Sequence, residues 1–113
     1  MKFTLDDVRG HELAPDEILN KMPALGATSK LPEEDTWIRL KLFSPFADWT
    51  WYAIEYDPQM HICFGLVKGF ETELGDFSLD ELGNMHRNGL PLIERDCYFE
   101  PVTLDQIVHK LAI

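Results

Sequence analysis

Trp37 to Phe70 reads WIRLKLFSPFADWTWYAIEYDPQMHICFGLVKGF, and the alternation of this stretch decides the fold. From Thr36 to Phe43, Ile38, Leu40 and Leu42 fall on one side of an extended chain, with Trp37, Arg39, Lys41 and Phe43 on the other. Ser44 to Asp48 is a short connection. Trp49 to Asp57 is dense in aromatic residues, which favour strands. Asp57-Pro58-Gln59-Met60-His61 makes the next turn, with Pro58 setting φ, and Ile62 to Phe70 is a third strand. Connections this short join antiparallel neighbours, so the segment predicts a three-stranded meander.

Symmetric pairing about the loops would set Phe43 opposite Trp49 and Asp57 opposite His61. Two faces then follow. Ile38, Leu40, Leu42, Tyr52, Ile54, Tyr56, Ile62, Phe64 and Leu66 form the expected core face. The other face carries Trp37, Arg39, Lys41, Trp49, Trp51, Ala53, Glu55, Asp57, His61 and Cys63. A one-residue bulge would scramble this map.

The flanks supply helices. Pro15 opens a helical segment with Ile18, Leu19 and Met22 at helical spacing, ended by Pro23. Gly26 to Asp35 is a polar loop. Glu71 to Phe77 adds a fourth strand. Ser78-Leu79-Asp80-Glu81 fits a capping box and opens a helix expected to stop near Asn88-Gly89. Leu92 to Phe99 reads as a last strand, and Thr103-Leu104-Asp105-Gln106 caps a terminal helix with Leu104, Ile107, Val108 and Leu111 inward. The expected fold is α+β: an antiparallel meander of four or five strands with about three helices, mainly on one face.

The length of 113 residues suits one domain over 1–113, whose folding buries roughly two thirds of the unfolded surface. There is no apolar run long enough for a membrane span and no secretory h-region near Met1, so a cytoplasmic protein is expected. Cys63 and Cys97 are read as free thiols. The net charge of −10 disfavours electrostatically driven nucleic-acid binding and keeps a small protein soluble.

The binding candidates are Trp37, Arg39, Lys41, Trp49, Trp51 and Glu55. Aromatic and Arg side chains dominate protein hot spots, so a protein or peptide partner is expected on this face. The plain alternative is that the indoles cover the strands and Glu55 pairs with Arg39 or Lys41. Glu55, Asp57, His61 and Cys63 have the chemistry of metal ligands, and with Glu71 would suit a metal-dependent nuclease or hydrolase. Their spacing matches no metal signature, and polar residues ordinarily decorate a hairpin turn. No catalytic residue, metal or cofactor is therefore assigned. Glu71, Glu73, Asp76, Asp80 and Glu81 raise a second alternative, an acidic DNA mimic or anti-defence protein. Phosphate-loop, dinucleotide, zinc-protease and serine-hydrolase motifs are all missing from the sequence.

The chain resembles the bacterial family known as domain of unknown function 2958. The resemblance rests on Trp49-Thr50-Trp51-Tyr52-Ala53, Glu55-Tyr56-Asp57, Phe64-Gly65-Leu66-Val67, Gly69-Phe70-Glu71, Glu73-Leu74-Gly75 and Phe77-Ser78-Leu79-x-Glu81-Leu82. Gly89-Leu90-Pro91, Glu94-Arg95-Asp96 and Phe99 continue it, and Leu13 to Leu25 looks like the family's opening. The resemblance implies no assigned activity. It does imply carriage on plasmids and other mobile elements, and with it an accessory role in their maintenance or defence. His61-Ile62-Cys63 and Met85-His86-Arg87-Asn88 depart from the family pattern.

Overall fold

Local signals place the helices. In the computed structural model, which describes residues 1–111, Ser78 caps α3 (Leu79–Asn84) by accepting a hydrogen bond from the Glu81 amide. Thr103 and Gln106 complete a reciprocal box ahead of α4 (Leu104–Leu111): the Gln106 amide donates to Thr103 Oγ1, and the Thr103 amide to Gln106 Oε1. Two single-turn helices precede them, α1 (Asp6–Arg9) and α2 (Asp16–Leu19), the latter entered through Pro15.

The meander forms as β2 (Leu40–Phe43), β3 (Thr50–Asp57), β4 (Ile62–Lys68) and β5 (Thr72–Ser78), every neighbour antiparallel. A fifth strand, β8 (Glu94–Arg95), joins the far side of β2, giving the order β5-β4-β3-β2-β8. The remaining strands are two-residue ribbons: β1 (Trp37–Ile38) with β9 (Val102–Thr103), and β6 (His86–Arg87) with β7 (Leu90–Pro91). The expected α+β meander is present.

Three details differ from expectation. The strand Thr36–Phe43 breaks at Arg39, because β1 pairs with β9 while β2 pairs with β3. The Leu104 amide also donates to the Thr36 carbonyl at 2.7 Å, so the start of α4 takes β1 with it. Helix α3 stops at Asn84, short of Asn88-Gly89. Those two residues instead turn the β6–β7 hairpin, with φ of 53° and 80°, as a two-residue type I′ turn requires. The last strand shrinks to Glu94–Arg95.

The register differs too, and it changes the faces. Phe43 lies opposite Thr50, not Trp49, and Asp57 opposite Ile62, not His61. Leu40 and Leu42 therefore share a face with Ala53 and Trp51. A bulge between Ala53 and Glu55 then reverses the phase of β3, so that Tyr56 joins Cys63 on that face while Glu55 turns to the other.

Both faces are consequently core. Leu40, Leu42, Trp51, Ala53, Tyr56 and Cys63 pack under α2, α3 and the N-terminal segment, against Phe3, Leu13, Leu19, Met22, Leu79 and Leu82. Tyr52, Ile54 and Leu66 pack with Ile38 against Leu104 and Ile107 of α4. Each fully buried aliphatic side chain contributes about 1.5–3 kcal/mol. Helices α1, α2 and α3 lie on the first side.

An ion pair is sealed into that first layer. Arg9 Nη1 donates to Asp6 Oδ1 at 2.7 Å, Nε to the Ile93 carbonyl at 2.8 Å and Nη2 to the Gly83 carbonyl at 2.9 Å. Asp6 also accepts from the Phe3 and Leu13 amides. Both charges are buried, yet each nitrogen of the guanidinium and each carboxylate oxygen has a hydrogen-bond partner, which makes the desolvation tolerable. The pair ties α1 to α3 and to the approach to β8.

Candidate functional site

The six residues expected to share one binding face are not all brought together: Trp49 stacks on Trp51 and borders a hollow of about 520 Å³ with Lys41, while Trp37, Arg39 and Glu55 lie elsewhere. Trp37 is 46% exposed, but it sits in the separate β1–β9 ribbon. Arg39 marks the break between β1 and β2 and lines a hollow of about 230 Å³ with Ile18, Lys21 and Phe99. Lys41 lies opposite Tyr52, with Nζ 5.9 Å from the ring centroid and 3.3 Å from Asp96 Oδ2. Trp51 is core at 9% exposure. The expected single Trp-rich face is thus corrected, because the shifted register and the bulge divide its members between the two layers.

Glu55 is a structural anchor. Its carboxylate accepts from the Gly26 amide at 2.7 Å, the Thr28 amide at 2.9 Å and the Thr28 hydroxyl at 2.6 Å. Neither Arg39 nor Lys41 pairs with it. Burial works to raise its pKa, but the hydrogen bonds from Thr28 and Gly26 outweigh this and hold it below the ordinary glutamate value. The carboxylate fastens the 26–28 loop over the sheet.

The possible metal set is dispersed by the same bulge. Glu55 and Cys63 lie on opposite faces. Asp57 Oδ1 accepts from the Gln59 amide and shapes the turn. His61 closes the turn at φ 56°, with Nδ1 3.1 Å from Asp80 Oδ1, and its carbonyl accepts from the Leu79 amide. Burial pushes the Cys63 thiol up to about 12, which keeps it protonated and inert. Among the described residues, no three His, Cys, Asp or Glu side chains cluster as a metal site would need.

The acidic stretch does not form one row. Glu73 is opposite Val67 on one face of β5, Asp76 is opposite Phe64 on the other, and Asp80 is engaged with His61. Glu94, Arg95 and Asp96 are likewise engaged with other residues rather than with one another. Glu94 faces His11 at 3.3 Å, Arg95 Nε donates to the Glu12 carbonyl, and Asp96 holds Lys41.

What does assemble is an apolar surface around Trp49. Its ring stacks on Trp51 at 5.9 Å and meets Phe70 edge-on at 5.5 Å. On one side, Trp49, Trp51, Met85, Leu92 and Ile93 line a hollow of about 290 Å³. Leu92, Ser44 and Ala47 also border a neighbouring one of about 420 Å³ with Phe46, Arg87 and Leu90. On the other side, Trp49, Val67, Phe70, Glu71 and Glu73 line about 280 Å³. Trp49 is a ridge between these depressions.

The exposed apolar groups here are Phe70 at 96%, Phe46 at 70%, Leu90 at 58% and Met85 at 45%. Large exposed apolar groups gathered around one ridge mark interaction surfaces more often than groups scattered singly. Sequence reasoning missed all four: Phe46 and Phe70 lie in connections, Met85 just past α3, and Leu90 in β7 of the unexpected β6–β7 hairpin. The available signal was Asn88-Gly89 itself, a strong hairpin turn that projects Leu90 outward.

A family model described as "Protein of unknown function (DUF2958)" matches residues 13–109. The chain belongs to that family. In this DUF2958 chain the matched span holds all of the Trp49 surface, whereas Asp6 and Arg9 lie before it. No curated protein and no solved structure matches the chain. Among the described residues, no helix is long and apolar enough to cross a membrane.

Proposed function

We propose that the chain is a non-enzymatic binding domain that docks an apolar segment of a protein partner against the Trp49 ridge. The observation behind this reading is the set of hollows flanking Trp49, walled by the exposed Phe46, Phe70, Met85 and Leu90. Large aromatic groups beside unfilled apolar depressions are what hot-spot anchors need. Trp51 supports the ridge from below. Lys41 is held by Asp96 and Glu55 by the 26–28 loop, so neither belongs to the docking surface on this reading.

On this reading the domain is a cytoplasmic accessory protein of plasmids or other mobile elements, and its partner belongs to their maintenance or defence. The test is a pull-down from the host with wild type and a Phe46→Ser, Leu90→Ser double variant. Both substitutions are at exposed positions, so the fold should survive, as circular dichroism would verify. A partner held by wild type and released by the variant is the expected result. Equal retention by both proteins removes the ridge as the docking surface.

A further inference from the structure

We infer that the free edge of β5 accepts an extended partner segment in which two basic residues bracket two apolar ones. This rests on the reading of the chain as a binding domain and names its partner's chemistry.

Among the described residues, strand β5 is the end strand of the sheet and pairs only with β4, in unbroken register over Thr72–Ser78. An unpaired edge is a template for another strand, and proteins usually blunt it with lysine, proline or a bulge. TELGDFS contains neither lysine nor proline, and no bulge interrupts it. Thr72, Glu73, Leu74 and Asp76 are exposed, and a Cβ placed on Gly75 would meet nothing within 4 Å. The edge is long, regular and open.

Its chemistry selects the occupant. Among the described residues, Glu71, Glu73 and Asp76 have no ion-pair partner. A strand added beside β5 would set one side chain next to Glu73 on one face and another next to Asp76 on the other. Opposite charges suit both places, because cross-strand pairs of opposite sign are favourable. Between them, one added side chain would lie beside Leu74, which is 51% exposed. The next would enter the space above Gly75. Apolar groups suit both. The pattern is therefore basic, apolar, apolar, basic, and it reads the same in either strand direction. The Glu73 end borders the Phe70 hollow, so the added strand would run into the Trp49 surface. A second copy of this chain suits the edge poorly, since each copy carries a net charge of −10.

The experiment titrates the full chain with a labelled Val-Lys-Val-Val-Lys-Val peptide, using Val-Glu-Val-Val-Glu-Val as control. Binding should be specific to the lysine peptide, weaken with salt, and slow amide exchange in β5. The Glu73→Lys, Asp76→Lys variant should lose the lysine peptide by about tenfold or more and gain the glutamate one. The pull-down with Phe46→Ser, Leu90→Ser reads the ridge and the peptide titration with Glu73→Lys, Asp76→Lys reads the edge, so loss of the ridge reading and loss of this one are told apart. Three results would overturn the inference: no binding, an affinity indifferent to charge reversal, or protection of β5 through dimerisation without peptide.

Discussion

The two edges of the sheet are built on opposite plans. At the β8 edge a strand of only two residues is fastened from several directions. Arg9 Nε reaches the Ile93 carbonyl, Arg95 Nε the Glu12 carbonyl, and the Asp96 amide the Lys41 carbonyl. At the β5 edge a seven-residue strand has its inner side paired and its outer side bare. The difference teaches where a small domain concentrates its internal bonds and where it leaves backbone hydrogen-bonding groups free. The short edge is sealed by the N-terminal segment, and the long edge has no such cover among the described residues.

The contrast breaks most severely at Arg9. Arg9→Met leaves the Asp6 carboxylate buried without its cation, and should lower unfolding free energy by about 3–5 kcal/mol, read by urea denaturation. A loss below about 1 kcal/mol would mean that the N-terminal clamp is not what secures the β8 edge.

Glu55, midway between the edges, should show a smaller loss with a signature in pH. Glu55→Gln should cost about 1.5–3 kcal/mol near neutrality, because three charge-assisted bonds to the 26–28 loop weaken. Its folded pKa is lowered, so its contribution is fully present above the ordinary glutamate value and is lost as pH falls through the lowered folded value. The gap between wild type and variant should therefore close in acid; a gap constant with pH would rule out the carboxylate as its cause.

Two glycines sharpen the comparison directly, since Gly65 and Gly75 are cross-strand partners. A Cβ on Gly65 would fall on the Tyr52 carbonyl oxygen, which is backbone and cannot step aside. Gly65→Ala should destabilise by about 1–3 kcal/mol, while Gly75→Ala should stay within about 0.5 kcal/mol of wild type. Equal effects in thermal unfolding would show that the β5 edge is not open. Smallest of all, Leu74→Thr should change stability by less than about 0.5 kcal/mol, as expected of a half-exposed edge position.

Much of this architecture was legible in the sequence where the signal is local. Ser78 and Thr103 announce their helices because a cap is a contact within one turn. The meander was legible because short loops leave little choice of neighbour. Its register was not. Alternation specifies register only when one face is wet, and β3 is buried from Trp51 through Tyr56, so both phases looked equally apolar. The extra residue at Ile54 then reversed the phase with no glycine or proline to mark it. The Asp6–Arg9 pair was equally invisible, since a buried pair at this spacing spells the same letters as an exposed helical one. The site followed the register: Trp49 was legible as an aromatic anchor, but its neighbours Phe46, Met85 and Leu90 come from segments that strand alternation does not describe, and Phe70 lies past the end of β4 rather than in the strand expected to reach it.

The three tryptophans end in three distinct settings: Trp37 nearly half exposed in the β1–β9 ribbon, Trp49 half-buried on the ridge, and Trp51 sealed beneath it. The molecule thus carries its own optical gauges. A soluble quencher would dim Trp37 first and Trp51 last, and Trp49 would be shielded only when something covers the ridge. Emission from the native chain, with no label attached, would report which part of the surface an arriving molecule has touched.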